Sequence, residues 1–125
     1  MKRVIRRAAL KPGAEFAYDT VHAFVPENLA EQLLAAGVEH WEIWRDGSDL
    51  IHVIDCAESF EATAAGLNAE PHTAWTTRMA AFVHADASTN RALTPVWYFD
   101  RVGQGPGVDH LSPHHSTQPR STDRP

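Results

Sequence analysis

The chain has 125 residues and a formal net charge of −5, a length that suits one domain and a charge of the wrong sign for a nucleic-acid partner. No apolar run approaches the roughly 20 residues that span a bilayer, and Arg6 and Arg7 interrupt the apolar N-terminal stretch, so neither a membrane partner nor a signal peptide is expected. The single cysteine, Cys56, excludes a disulfide framework and makes a cytoplasmic location the expectation.

Residues 3–10, "RVIRRAAL", read as a first strand that ends at Pro12-Gly13. Residues 14–24 carry helical spacing. Ala17, Val21 and Phe24 share one side, with Tyr18 and His22 on an adjoining stripe, because positions i and i+4 are neighbours on a helix. Pro26 ends this helix or opens the next as a first-turn proline. "PENLAEQLLAAG" is helical, with Leu29, Leu33 and Ala36 in line and Gly37 as its stop.

"VEHWEIWRDG" alternates as a strand. Val38, His40, Glu42 and Trp44 face one way, and Glu39, Trp41, Ile43 and Arg45 the other. The Asp-Gly of "RDGSD" signals a tight hairpin, from which "LIHVIDC" returns as a third strand, with Cys56 as a small core residue. "ESFEATAAGLN" is a short helix with Phe60 and Ala64 inward. "PHTAWTTRMAAF" is a second, placing Trp75, Met79 and Phe82 at i, i+4 and i+7. A loop leads to a last strand, "LTPVWYFD".

The chain therefore divides into a domain at 1–102 and a Gly/Pro/Ser-rich tail at 103–125, expected to be disordered. The order strand, broken helix, strand, strand, broken helix, strand is a βαββαβ, ferredoxin-like α+β unit: one antiparallel four-stranded sheet with helices on one face. The other face needs a cover. About 100 residues make only a modest core, so a second subunit or a ligand cavity is expected there.

His22 reads either as a helix-end surface residue or as a proton donor and acceptor, since an unperturbed imidazole titrates near pH 6.5. Tyr18 adds a hydroxyl one turn away, or packs by its ring. Trp41 and Trp75 are core aromatics, or flat faces that cover the C–H side of a sugar. His40, His52, His72 and His84 show no metal-ligand spacing, so no metal is expected.

Taken together, Tyr-x3-His after a strand and Pro-Gly, the following "PE", "AAGVEHWEIWRDGSDLIHVIDC", "AEPHTAWTTRMAAF" and the closing "VWYF" resemble the L-rhamnose mutarotase family over residues 3–100. The resemblance implies a homodimeric α+β barrel of ferredoxin-like units, no cofactor, and a small-molecule partner: a 6-deoxy sugar such as L-rhamnose or L-fucose whose α and β anomers are interconverted. It also implies that His22 is catalytic and that Tyr18, Trp41, Trp75 and Thr76 bind substrate. Two positions depart from the family. Thr76 stands where rhamnose enzymes have the second residue of a Trp-Trp pair, and Trp41 stands where they tend to have Tyr. Pro26 also comes one residue early. In the implied mechanism one group protonates the ring oxygen while another takes the anomeric hydroxyl proton. Asp19, Glu42, a partner-chain residue or water are open as the second group. A cofactor-free α+β barrel monooxygenase and a non-catalytic ligand-binding barrel are the alternative readings.

Overall fold

A computed structural model describes residues 2–86 and 89–107. In chain order the elements are β1 (Lys2–Ala9), α1 (Glu15–Val21), α2 (Glu27–Ala35), β2 (Val38–Asp46), β3 (Asp49–Cys56), α3 (Phe60–Gly66), α4 (His72–Met79), β4 (Arg91–Ala92), β5 (Trp97–Phe99) and β6 (Gln104–Pro106). Strands β1 to β4 form one sheet in the order β2-β3-β1-β4, antiparallel at every junction. This is the expected βαββαβ arrangement, each crossover helix being broken in two.

The hairpin sets the register of the whole sheet. Asp46 pairs with Asp49 across the two-residue loop Gly47–Ser48, and Gly47 takes φ 60, the left-handed conformation that such a loop demands at its first position. From there Ile43 falls opposite His52, and Trp41 opposite Ile54. Along β1, Arg6 pairs with His52 and Ala8 with Leu50. Side chains alternate across a strand, so Trp41, Ile43, Leu50, His52 and Ala8 share one face. Ala8 and Leu50 on that face join Leu10, Tyr18 and Met79 in the core, with Val21, Ile43, Trp75 and Phe82 packed against it. Cys56 is fully buried, as expected of a small core residue.

Helix boundaries follow local chemistry. Gly37 adopts φ 101 and its N–H reaches the carbonyl of Leu34, closing α2. The Ser59 hydroxyl accepts from the Ala62 N–H at 3.0 Å and caps α3. Pro26 opens α2 from its N-cap position.

The structure departs from the sequence reading at five places. The fourth strand of the sheet is Arg91–Ala92, not 93–100. Within 93–100 only Trp97–Phe99 are extended, and they pair with β6 in a separate hairpin. Prolines at 12, 95 and 106 punctuate the pattern, and Pro95 separates β4 from β5. Second, β6 lies inside the segment 103–125 read as a disordered tail: Gln104–Pro106 pair with β5, and Gly103 and Gly105 are buried. Residues 108–125 of that segment lie outside the described residues.

Third, the β2–β3 register slips between Val38 and His40. This bulge turns Val38 inward, where it is buried, and leaves His40 exposed on the opposite face. Simple alternation had put both on one side. Fourth, α3 buries Thr63, and Leu67 just past its end, while Ala64 is exposed. Fifth, Phe24 is not core but 88% exposed, beyond the end of α1.

Candidate active site

Helices α1, α2 and α4 do not close fully onto the sheet. Between them lies an open cleft of about 1010 Å³, lined by Tyr18, His22, Trp41, His52, Trp75 and Thr76 among others. All five residues singled out in the sequence thus reach one cavity, brought there by three different elements. A volume at the upper end of the usual ligand-pocket range leaves ample room for a monosaccharide.

His22 sits at the C-cap of α1, its backbone N–H bonded to the carbonyl of Tyr18. The last turn therefore fixes both side chains together. Their ring centroids are 5.3 Å apart, and the Trp75 ring meets the His22 ring edge-on at 5.2 Å. Tyr18, His22 and Trp75 form a continuous aromatic wall.

The start of α4 is tied to α2 by one side chain. Gln32 accepts from the His72 N–H at 2.9 Å and donates to the Ala69 carbonyl at 3.1 Å, and this link places Trp75. The Arg78 guanidinium lies over the Trp75 ring at 5.7 Å, so Arg78 braces the wall from outside and is not a lining residue.

Tyr18 is only 5% exposed. Burial, with a smaller contribution from the charge of Asp19, pushes its hydroxyl pKa up to about 12. It therefore stays protonated at neutral pH and can donate a hydrogen bond, but cannot serve as an anionic base.

On the sheet, Trp41 donates its indole N–H to Nδ1 of His52 at 3.1 Å, with ring centroids 5.9 Å apart. Burial first, then the neighbouring His22 and Arg6, bring the His52 pKa down to about 4.

The carboxylates considered as a second proton-transfer group stand elsewhere. Asp19 is exposed and held by Arg45 at 2.9 and 2.6 Å, and this hydrogen-bonded pair keeps its pKa below the usual carboxylate range. Glu42 faces the opposite side of the sheet from Trp41, bonded to His40 at 2.8 Å and to the Trp44 indole, which lowers its pKa likewise. Among the described residues no Asp, Glu, Lys or Arg lines the cleft. No three His, Cys, Asp or Glu side chains of those residues gather as a metal site. The cavity is polar through imidazoles, a phenol, a threonine and an asparagine, and apolar elsewhere: a surface suited to an uncharged, hydroxylated ligand.

Sequence reasoning passed over His52, weighing it only as a metal ligand. The signal was present nonetheless. The Gly47 hairpin puts His52 opposite Ile43, on the face already assigned to Trp41. His72, His84 and Asn90 also line the cleft, and no spacing in the sequence marks them.

A sequence profile of L-rhamnose mutarotase matches residues 3–99, well over half of the chain. The chain belongs to the L-rhamnose mutarotase family. Its reaction class is accordingly that of a carbohydrate isomerase, interconverting sugar anomers. Among solved structures, the L-rhamnose mutarotase of Formosa agariphila has the same fold, with a TM-score of 0.67 and 20% sequence identity over 80% of this chain and 100% of that one. Comparison with curated protein sequences gave no match. Among the described residues no helix is long and apolar enough to cross a membrane.

Proposed function

We propose that this cleft opens and recloses the pyranose ring of a neutral 6-deoxy sugar, L-rhamnose ahead of L-fucose, with His22 exchanging the proton of the ring oxygen. The observation that carries the reading is the joining of Tyr18, His22 and Trp75 in one cleft whose lining, among the described residues, holds no carboxylate, lysine or arginine. Apart from its imidazoles, such a lining offers no cationic group to pair with a sugar phosphate or a sugar acid. It does offer aromatic faces for C–H groups and neutral donors for hydroxyls.

Mutarotation requires one proton to arrive at the ring oxygen as another leaves the anomeric hydroxyl. An imidazole can carry a proton in either direction near neutral pH. Tyr18, which keeps its proton, polarises or holds a sugar oxygen beside His22. Trp41, Trp75 and Thr76 complete the sugar's surroundings. Thr76 replaces an aromatic face with a hydroxyl and opens space next to Trp75, which favours a broadened sugar preference. With Asp19 and Glu42 outside the cleft, the complementary acceptor is another imidazole of the lining, a partner-chain residue or a water molecule.

A homodimer joined through the outer sheet face belongs to the same proposal. Ile5, Ile51, Val53 and Trp44 share that face, framed by the ion pairs Arg3–Asp55 and Arg7–Asp49. An apolar centre with a charged rim is the usual anatomy of a protein interface.

Saturation-transfer NMR of α/β exchange, run on L-rhamnose and L-fucose with D-sugars as controls, tests the reading. Replacing His22 by Ala should slow exchange by about 10²-fold or more while leaving the fold intact. Wild-type protein that speeds no 6-deoxy sugar above the buffer rate would refute the proposal. Normal exchange in His22→Ala would move the chemistry to another residue.

A further inference from the structure

The Trp41–His52 pair fixes a tautomer. An indole N–H only donates, so Nδ1 of His52, 3.1 Å away, must be the unprotonated acceptor, and the ring's proton sits on Nε2. Nε2 has no protein partner among the described residues. Nor is it among the buried polar atoms sealed without one, and His52 lines the cleft. The ring thus holds a hydrogen-bond donor toward the cavity, near His22.

From this geometry we infer that His52 is a substrate-contacting residue, a neutral imidazole that donates its Nε2–H to a sugar oxygen. The inference rests on the cleft being the sugar site. The arrangement suits a donor and not a base. Nδ1 is occupied by Trp41, and Nε2 already carries the proton, so accepting another would break the Trp41 bond or create an imidazolium. That cation would stand beside His22 and close to Arg6, the residue paired with His52 across β1 and β3. Burial and these two neighbours hold the ring neutral. His52 therefore differs in role from His22: one moves a proton, the other holds an oxygen. The bond to Trp41 also orients the indole, so one pair supplies both an apolar face and a directed donor.

The test uses wild-type protein with 15N-labelled histidine, the His52 signals being assigned with His52→Gln. At pH 7 the His52 ring should show the Nε2–H tautomer, and its Nε2 resonance should move on adding L-rhamnose. Anomer exchange is measured in the same tube. His52→Phe, which keeps the ring but removes the donor, should raise KM about three- to tenfold, the worth of one hydrogen bond, with turnover at saturation changed less. His52→Gln, which restores an N–H, should recover most of the loss. A ring protonated on Nδ1 or on both nitrogens overturns the inference. So does an Nε2 resonance that ignores a sugar the sample is turning over, or an unchanged KM in His52→Phe. Lack of any exchange by the wild type is a different failure, that of the mutarotase reading itself, and takes this inference with it.

Discussion

At the scale of single residues the cleft assigns roles by what burial does to each proton. Tyr18 and His52 are both driven toward their neutral forms, for the same reason and in opposite directions: the Tyr18 pKa rises to about 12 and that of His52 falls to about 4. If Tyr18 only donates, Tyr18→Phe should slow anomer exchange about tenfold or less, the scale of one lost hydrogen bond, against a larger loss for His22→Ala. Exchange by the wild type should show no added limb from a tyrosine ionising between pH 8 and 10. NMR rates across that range check both. The His52 value also fixes a stability effect. Above about pH 6.5 the ring is neutral whether the chain is folded or not, so it contributes nothing to pH dependence. As pH falls from there to about 4, the unfolded chain takes up a proton that the folded one refuses, and stability drops by about 1.4 kcal/mol for each unit of separation. Melting curves for His52→Gln should accordingly be flatter over that window than those of the wild type. Tyr18 and His22 were legible in the sequence because i, i+4 spacing on a helix survives folding unchanged. His52 was not weighed for this role, because its meaning depends on a partner on another strand.

At the scale of elements, the strongly patterned pieces were readable and the glycine- and proline-rich ones were not. The β2–β3 hairpin announces itself by alternation around Asp-Gly, and α4 by Trp75 and Met79, although the stripe runs on to Phe82 and the helix ends at Met79. The bulge near Glu39 carries no such mark, and it decides that Val38 is buried while His40 is exposed. The β5–β6 hairpin fails for a plainer reason. Gln104–Pro106 hold no large apolar side chain, so composition says tail, yet backbone pairing and close approach suffice to order them. Gly107 shows how close. Its N–H donates to the Val96 carbonyl at 2.8 Å, and a Cβ there would stand 2.1 Å from the carbonyl carbon of Pro95. Backbone cannot yield as a flexible side chain can, so Gly107→Ala should destabilise the protein by about 1–3 kcal/mol, the usual range for overpacking. A melting temperature equal to that of the wild type would mean that this hairpin is not docked as described.

At the scale of the molecule the question is what covers the outer face of the sheet. The helices and the cleft occupy one face. On the other, Ile5, Ile51 and Val53 are half-buried and Trp44 is 63% exposed. A chain of this size has only a modest core of its own, and leaving an apolar strip in water forgoes about 25 cal/mol for each Å². A second copy seated on this strip would cover it, with the Arg3–Asp55 and Arg7–Asp49 pairs at its edge. Val53 is the residue to change, since it sits on the central pair of strands between Ile5 and Glu42. Val53→Lys places a charge at the middle of the proposed contact while costing the isolated subunit little, because a long side chain there can reach solvent. Wild-type protein should sediment at twice its chain mass of 13.8 kDa at micromolar concentration, and Val53→Lys at that mass, with an unchanged far-UV spectrum. A wild-type monomer, or a mutant dimer of full strength, would show that the outer face is left to solvent or that subunits meet elsewhere. Anomer exchange measured on the same mutant then tells whether the cleft, which opens on the other side of the sheet, works in a single subunit.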